Sequence, residues 1–110
     1  KTIDSLIERT VNGGAEIVGF LKTGSAFYAP AASAARMAET IILDKKEILP
    51  CAAYLEGEYN LEDVVIGVPV KLGSNGIEEI VRFKLTEEEF EALKKSSEAV
   101  RALVNTLGNI

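Results

Sequence analysis

The sequence has no histidine and no tryptophan, and only one cysteine, one methionine and three prolines among its 110 residues. Without histidine there is no imidazole to serve as general base near neutral pH, which excludes Ser-His and Cys-His nucleophile pairs and zinc-histidine sites. A lone cysteine, Cys51, cannot close an intramolecular disulfide or build a cysteine-based metal cluster. With no histidine to lower its pKa it reads as an inert core thiol. This cysteine usage predicts a reducing, cytoplasmic setting. Positive charge is also scarce: twelve Lys and Arg stand against seventeen Asp and Glu, for a net charge of −5. No segment gathers enough cations to track a phosphate backbone, so no nucleic acid partner is expected. No apolar run approaches the ~20 residues that span a bilayer, and no basic stretch followed by a short apolar one opens the chain. Neither a membrane partner nor a signal segment is therefore expected. The chain opens on Lys1 and its one methionine is Met37, which predicts a piece of a longer protein or a processed product.

What is present is a 47% hydrophobic, 26% charged composition, the balance of a soluble globular domain long enough to bury a core. Ile3, Leu6, Ile7, Val11, Gly14, Ile17, Val18 and Leu21 recur at steps of three and four, the stripe of an amphipathic helix. Asn12-Gly13-Gly14 interrupts it, and two glycines at about 1 kcal/mol each predict a kink or split there. Thr23-Gly24-Ser25 ends the segment, with Lys22 near the negative end of the helix dipole. A second helix is predicted over 28–43, with Pro30 in its first turn and a smooth run of Ala31, Ala32, Ala34, Ala35 and Ala38. Such small side chains predict close packing against a neighbouring element. A charged turn, Asp44 to Glu47, closes it.

The hydrophobic period then changes from 3.6 to 2. Residues 48–55 read as an edge or bulged strand because they include Pro50, and 56–60 as a loop. Val64, Ile66, Val68, Val70 and Leu72 alternate as one buried face of a strand. Asn75-Gly76 predicts a tight hairpin with positive φ at both positions, leading to an antiparallel strand over 77–85 with Val81, Phe83 and Leu85 on one face. Thr86 and Glu89 form a capping box, and Phe90, Leu93, Val100, Leu103, Val104 and Leu107 trace the stripe of a last helix ending at Gly108. The predicted fold is α+β: one unit over 1–110, with a twisted antiparallel sheet of about three strands packed with helices.

Few residues carry chemistry. The glycines at 13, 14, 19 and 24 do not follow a strand and do not spell a dinucleotide or P-loop signature, so a helix break explains them. Glu87, Glu88, Glu89 and Glu91 sit in or just beyond a first helical turn, where the dipole favours solvated carboxylates, and no metal site is expected. Glu56 and Glu58 flank a loop glycine, a better place for function, yet nothing in sequence pairs with them. Lys22 and Arg36 are possible anion contacts. The junction 23–30 differs in kind: it joins two helices through small hydroxylated residues and sets Ser25 just ahead of a helix N-terminus, a reasonable pocket wall.

Four runs together resemble the C-terminal part of the lactate/malate dehydrogenase family: 12–18 (Asn-Gly-Gly-Ala-Glu-Ile-Val), 22–32 (Lys-Thr-Gly-Ser-Ala-Phe-Tyr-Ala-Pro-Ala-Ala), 49–59 and 67–73. The Thr-Gly-Ser-Ala-x-Tyr-Ala-Pro run resembles the bacterial branch that acts on malate while built like the lactate enzymes. The resemblance implies an oxidoreductase of the tricarboxylic acid cycle that interconverts malate and oxaloacetate with NAD. It further implies that the Rossmann domain, the catalytic histidine and aspartate and the substrate-binding arginines lie upstream, so that no catalytic residue is expected in this chain and the 110 residues alone are expected to be inactive. It assigns Ser25 and Ala26 to one side of the substrate pocket and Pro30 to the vicinity of the nicotinamide, all as wall residues, and it implies a homo-oligomer. A lactate-specific relative is a weaker option. A free-standing interaction module that self-associates through its alanine-rich helix is the alternative of a different class.

Overall fold

The computed structural model describes residues 1–108, which fall into two compact units, Lys1–Ala38 and the remainder from Glu39 onward. In the first unit the expected split is present. Helix α1 spans Thr2–Val11 and α2 spans Gly13–Leu21, with Asn12 between them at φ −91°, ψ 3°. Asn12 holds the break by donating its side-chain amide to the Glu8 carbonyl at 2.9 Å. Arg9 and Glu16 bridge it with two side-chain hydrogen bonds of 2.9 and 3.2 Å. Helix α2 ends where Lys22 turns left-handed, at φ 62°.

Helix α3, Tyr28–Ile42, starts in the first unit and ends in the second. Pro30 is its third residue, where a missing N–H costs no helical bond. Its alanines were expected to be covered, yet Ala31, Ala32, Ala34, Ala35 and Ala38 are exposed and Thr40 is the buried residue of the helix. The helix ends in a Schellman arrangement. The Lys45 N–H reaches the Thr40 carbonyl and the Asp44 N–H that of Ile41, with Asp44 left-handed at φ 47°.

The second unit is built on three antiparallel strands in the order β1 (Glu47–Glu56), β2 (Glu62–Gly73), β3 (Gly76–Ile80). Pro50 lies on edge strand β1, as expected, opposite Pro69 of the central strand β2. The period of 2 does what it predicts. Cys51, Ala53 and Leu55 of β1 and Val64, Ile66, Val68, Val70 and Leu72 of β2 share one face and are all buried, forming the core with Leu61. The opposite face shows Ile48, Tyr54 and Val65 to solvent.

Helix α4, Glu87–Leu107, opens with the expected capping box. The Thr86 hydroxyl accepts from the Glu89 N–H and the Glu89 carboxylate accepts from the Thr86 N–H. It packs on β2, and here the predicted stripe needs correction. Phe90, Leu93 and Val100 are half-buried around a buried Ser97, whereas Leu103, Val104 and Leu107 are exposed. Ser97 is 1% exposed, and its hydroxyl is satisfied by the Lys94 carbonyl at 2.7 Å.

Two further expectations are overturned around β3. Asn75 does not take a positive φ. Ser74 and Asn75 form the turn, and Gly76, at φ 81°, follows as the left-handed residue that matches the turn to the strand twist. The third strand also stops at Ile80 instead of reaching residue 85. The ladder fails for a local reason: Val81 donates its N–H to the Pro69 carbonyl at 2.9 Å, but proline has no N–H to return. Beyond it the Tyr59 hydroxyl takes over, donating to the Val81 carbonyl at 2.6 Å and accepting from the Phe83 N–H at 3.0 Å.

Candidate functional site

The junction between α2 and α3 is built by two helix ends. After Lys22, Gly24 is left-handed at φ 88°, and the chain runs without regular structure through Ser25, Ala26 and Phe27 before α3 begins. The Ala31 N–H reaches the Phe27 carbonyl, so Ser25 stands two residues ahead of the position that caps the helix. Ala26 is half-buried, whereas Ser25 and Pro30 are exposed. The rings of Phe27 and Tyr28 stack at 4.7 Å between centroids and 28° between planes, which stiffens the short connection. Ser25, Ala26 and Pro30 thus lie within six residues of chain on a turn that offers a hydroxyl, a methyl and a pyrrolidine edge. None of the three can exchange a proton near neutral pH.

Glu58 and Cys51, singled out from the sequence, serve the fold. The Glu58 carboxylate accepts from the Glu56 N–H at 2.6 Å, and that backbone donor, chiefly, holds its carboxyl below the ordinary carboxylate value. Glu16 is likewise held down by the Arg9 guanidinium. Cys51 is buried among the apolar strand residues, and desolvation pushes its thiol up, the direction of an unreactive side chain. Lys22 is an exposed helix-terminal residue, and Arg36 lies exposed on α3. Glycines 13 and 14 are helical residues of α2. Glycines 13 and 14 therefore do not form the strand-to-helix turn that cradles a dinucleotide pyrophosphate. Among the described residues no group of three or more Asp, Glu and Cys side chains is placed to hold a metal ion, and no helix is long and apolar enough to cross a membrane.

Sequence reasoning missed a separate cavity of about 900 Å³ in the second unit, beside the start of β2 and the C-terminal half of α4. Tyr54, Asp63, Arg101 and Asn105 line it together with Val64 and Val104. The Tyr54 hydroxyl donates to Asp63 at 3.0 Å, and that carboxylate raises the phenol pKa. Arg101 donates to the Glu62 main-chain carbonyl. These residues are far apart in sequence and each is ordinary in its own segment, so no local pattern announces them.

With this geometry in hand, three comparisons bear on the chain. A family model described as lactate/malate dehydrogenase, alpha/beta C-terminal domain, matches residues 1–109. The malate dehydrogenase of Methanosarcina mazei is 60% identical over 107 residues, which is 97% of this chain and 35% of that protein. Among solved structures, malate dehydrogenase from Salinibacter ruber superposes with a TM-score of 0.93 at 48% identity, covering 98% of this chain and 35% of that one. Lactate dehydrogenase from Eimeria maxima, determined with NADH and oxamate, gives a TM-score of 0.92 at 36% identity over 97% of this chain and 33% of its own. The chain thus spans about a third of the length of the relatives it matches.

Proposed function

The chain belongs to the lactate/malate dehydrogenase family, whose C-terminal domain it carries, and from that premise we propose that it is the substrate-side portion of a cytoplasmic malate dehydrogenase. The enzyme interconverts malate and oxaloacetate by hydride exchange with NAD, in the tricarboxylic acid cycle. The observation that carries this reading is the 60% identity to a malate dehydrogenase over 97% of the chain. In this proposal NAD supplies the hydride acceptor and is held by a Rossmann domain upstream. The acid/base histidine comes from there too, since these 110 residues contain none. What the chain contributes is the wall at 23–30, with Ser25 and Ala26 against the substrate and Pro30 toward the nicotinamide. Homo-oligomeric assembly belongs to the same reading. It is supported by the exposed apolar residues Ile3, Leu6, Ile7 and Val11 on α1, more than a helix leaves in water without a covering surface.

The test is NADH oxidation by the full-length protein with oxaloacetate, with pyruvate as competitor substrate, and by residues 1–110 alone. Turnover with oxaloacetate by the whole protein and none by the isolated chain is expected. A preference for pyruvate would replace malate by lactate as the substrate, and activity of the isolated chain would sink the upstream placement of the catalytic groups. The wall has its own test. Replacing Ala26 by Leu adds three carbons at a half-buried position, and should raise the KM for oxaloacetate about tenfold while changing kcat less, the pattern of lost substrate binding. An unchanged KM removes Ala26 from the pocket.

A further inference from the structure

The α3–β1 turn and the tip of the β2–β3 hairpin meet through charge. Asp44 accepts from the Ser74 N–H through Oδ1 at 2.9 Å. Lys46 sets its Nζ 3.0 Å from both oxygens of Glu78 and 3.4 Å from Asp44 Oδ1. Asn75 adds a side-chain bond to Glu78 at 3.3 Å. The two carboxylates converge over Gly73: a Cβ built there would lie 2.8 Å from Asp44 Oδ1 and closer still to Glu78 Oε2. Asp44 and Lys46 both take left-handed backbone, at φ 47° and 54°, a conformation that disfavours side-chain-bearing residues. Glycine is the usual residue at the Asp44 position of a Schellman cap. An aspartate there is explained by its carboxylate, which glycine lacks.

We propose that Asp44, Lys46 and Glu78 form a conformational clamp, built around the bare Cα of Gly73, that holds the left-handed α3–β1 turn against the hairpin and opens when the lysine charge is removed. Lys46 is the element that decides its state. With it, two carboxylates share one cation; without it, two like charges face each other across Gly73 and the Asp44 bond from the Ser74 N–H must hold the strained turn to the hairpin against their repulsion. The neighbouring Lys45 is engaged elsewhere, with Glu39 at 3.0 Å, and provides the control.

The sign of the pH dependence follows. The Ser74 N–H, chiefly, draws the Asp44 carboxyl below its ordinary 3.8, so its contribution is present above that value and is lost as pH falls through the lowered one. Glu78, chiefly, raises the Lys46 ammonium above its ordinary 10.5, so its contribution is present below 10.5 and is lost as pH rises through the raised value. The clamp therefore stays closed across the neutral range.

The reporter is hydrogen exchange at the Ser74 amide in the full-length protein. Lys46→Met should lower its protection about tenfold or more. Gly73→Ala displaces the carboxylate ends without altering any charge or requiring a new backbone conformation, and should lower Ser74 protection to the same degree. Lys46→Arg should keep it and Lys45→Met should leave it unchanged. Equal loss in Lys45→Met and Lys46→Met would reduce the effect to general charge, and full protection in both Lys46→Met and Gly73→Ala would overturn the clamp.

Discussion

Truncating Leu55 to alanine should destabilise the chain by about 2–5 kcal/mol, more than an equivalent truncation on the other face of β1. Leu55 has no solvent exposure, pairs directly with Val64 and stands at the end of a buried row that includes Cys51 and Ala53. Three heavy atoms removed there leave a void walled by β-branched strand residues, which have little rotamer freedom with which to refill it. Ile48 provides the contrast. It is the same size, lies on the same strand and is 56% exposed on the opposite face, so Ile48→Ala should cost under about 1 kcal/mol by lost transfer alone. The measurement is the shift in urea midpoint at unchanged slope for the two variants. Equal shifts would mean that the pleat does not separate a core face from a solvent face.

The same alternation explains which parts of the fold were legible in the sequence. Period-2 burial on β2 was readable because each residue from Val64 to Leu72 is assigned to a face by its own side chain. The Asn12 break and the Thr86–Glu89 cap were readable because their partners lie within a turn of chain. Apart from the backbone of Asn75, the failures involve distant partners. The third strand ends at Ile80 because of a proline on β2, and no pattern within 77–85 reports it. The stripe on α4 continues apolar through Leu107, but Leu103, Val104 and Leu107 are exposed, which their own spacing on the helix cannot report. The alanines of α3 read as buried for a related reason: small apolar residues declare that they can be packed against, and not whether the packing element is part of these residues.

The candidate site divides along the same line. The junction 23–30 was visible as a change of composition between two helices, and the structure gives it a left-handed Gly24, a stacked Phe27–Tyr28 pair and a half-buried Ala26. The role proposed for that junction rests on resemblance, since no acid or base with an ordinary pKa near neutral marks it. The Asp44–Lys46–Glu78 clamp was half visible, as a charged turn after α3. Its other half lies on a hairpin more than thirty residues later and could be assigned only once the strands were paired.

Replacing Tyr59 by phenylalanine removes one oxygen and should cost about 1–3 kcal/mol, the penalty for leaving two backbone groups unpaired. The hydroxyl does the work of a strand at the point where the ladder fails, serving the Val81 carbonyl and the Phe83 N–H together. Holding it there requires left-handed backbone at Tyr59 and Asn60, φ 55° and 54°, and that strain persists only while the phenol is engaged. Once the oxygen is gone, the segment between β3 and α4 loses its tether to the 57–60 turn, and Phe83 amide exchange should rise toward the rate of an open loop. Tyr54→Phe is the matched comparison. It also deletes a phenolic oxygen, but from an exposed bond to Asp63, so its cost should stay within about 0.5 kcal/mol. A Tyr59→Phe protein as stable as Tyr54→Phe, with Phe83 still protected, would mean that water replaces the hydroxyl at no cost and that the 81–86 segment is held by the packing of Leu85 and Phe90 instead.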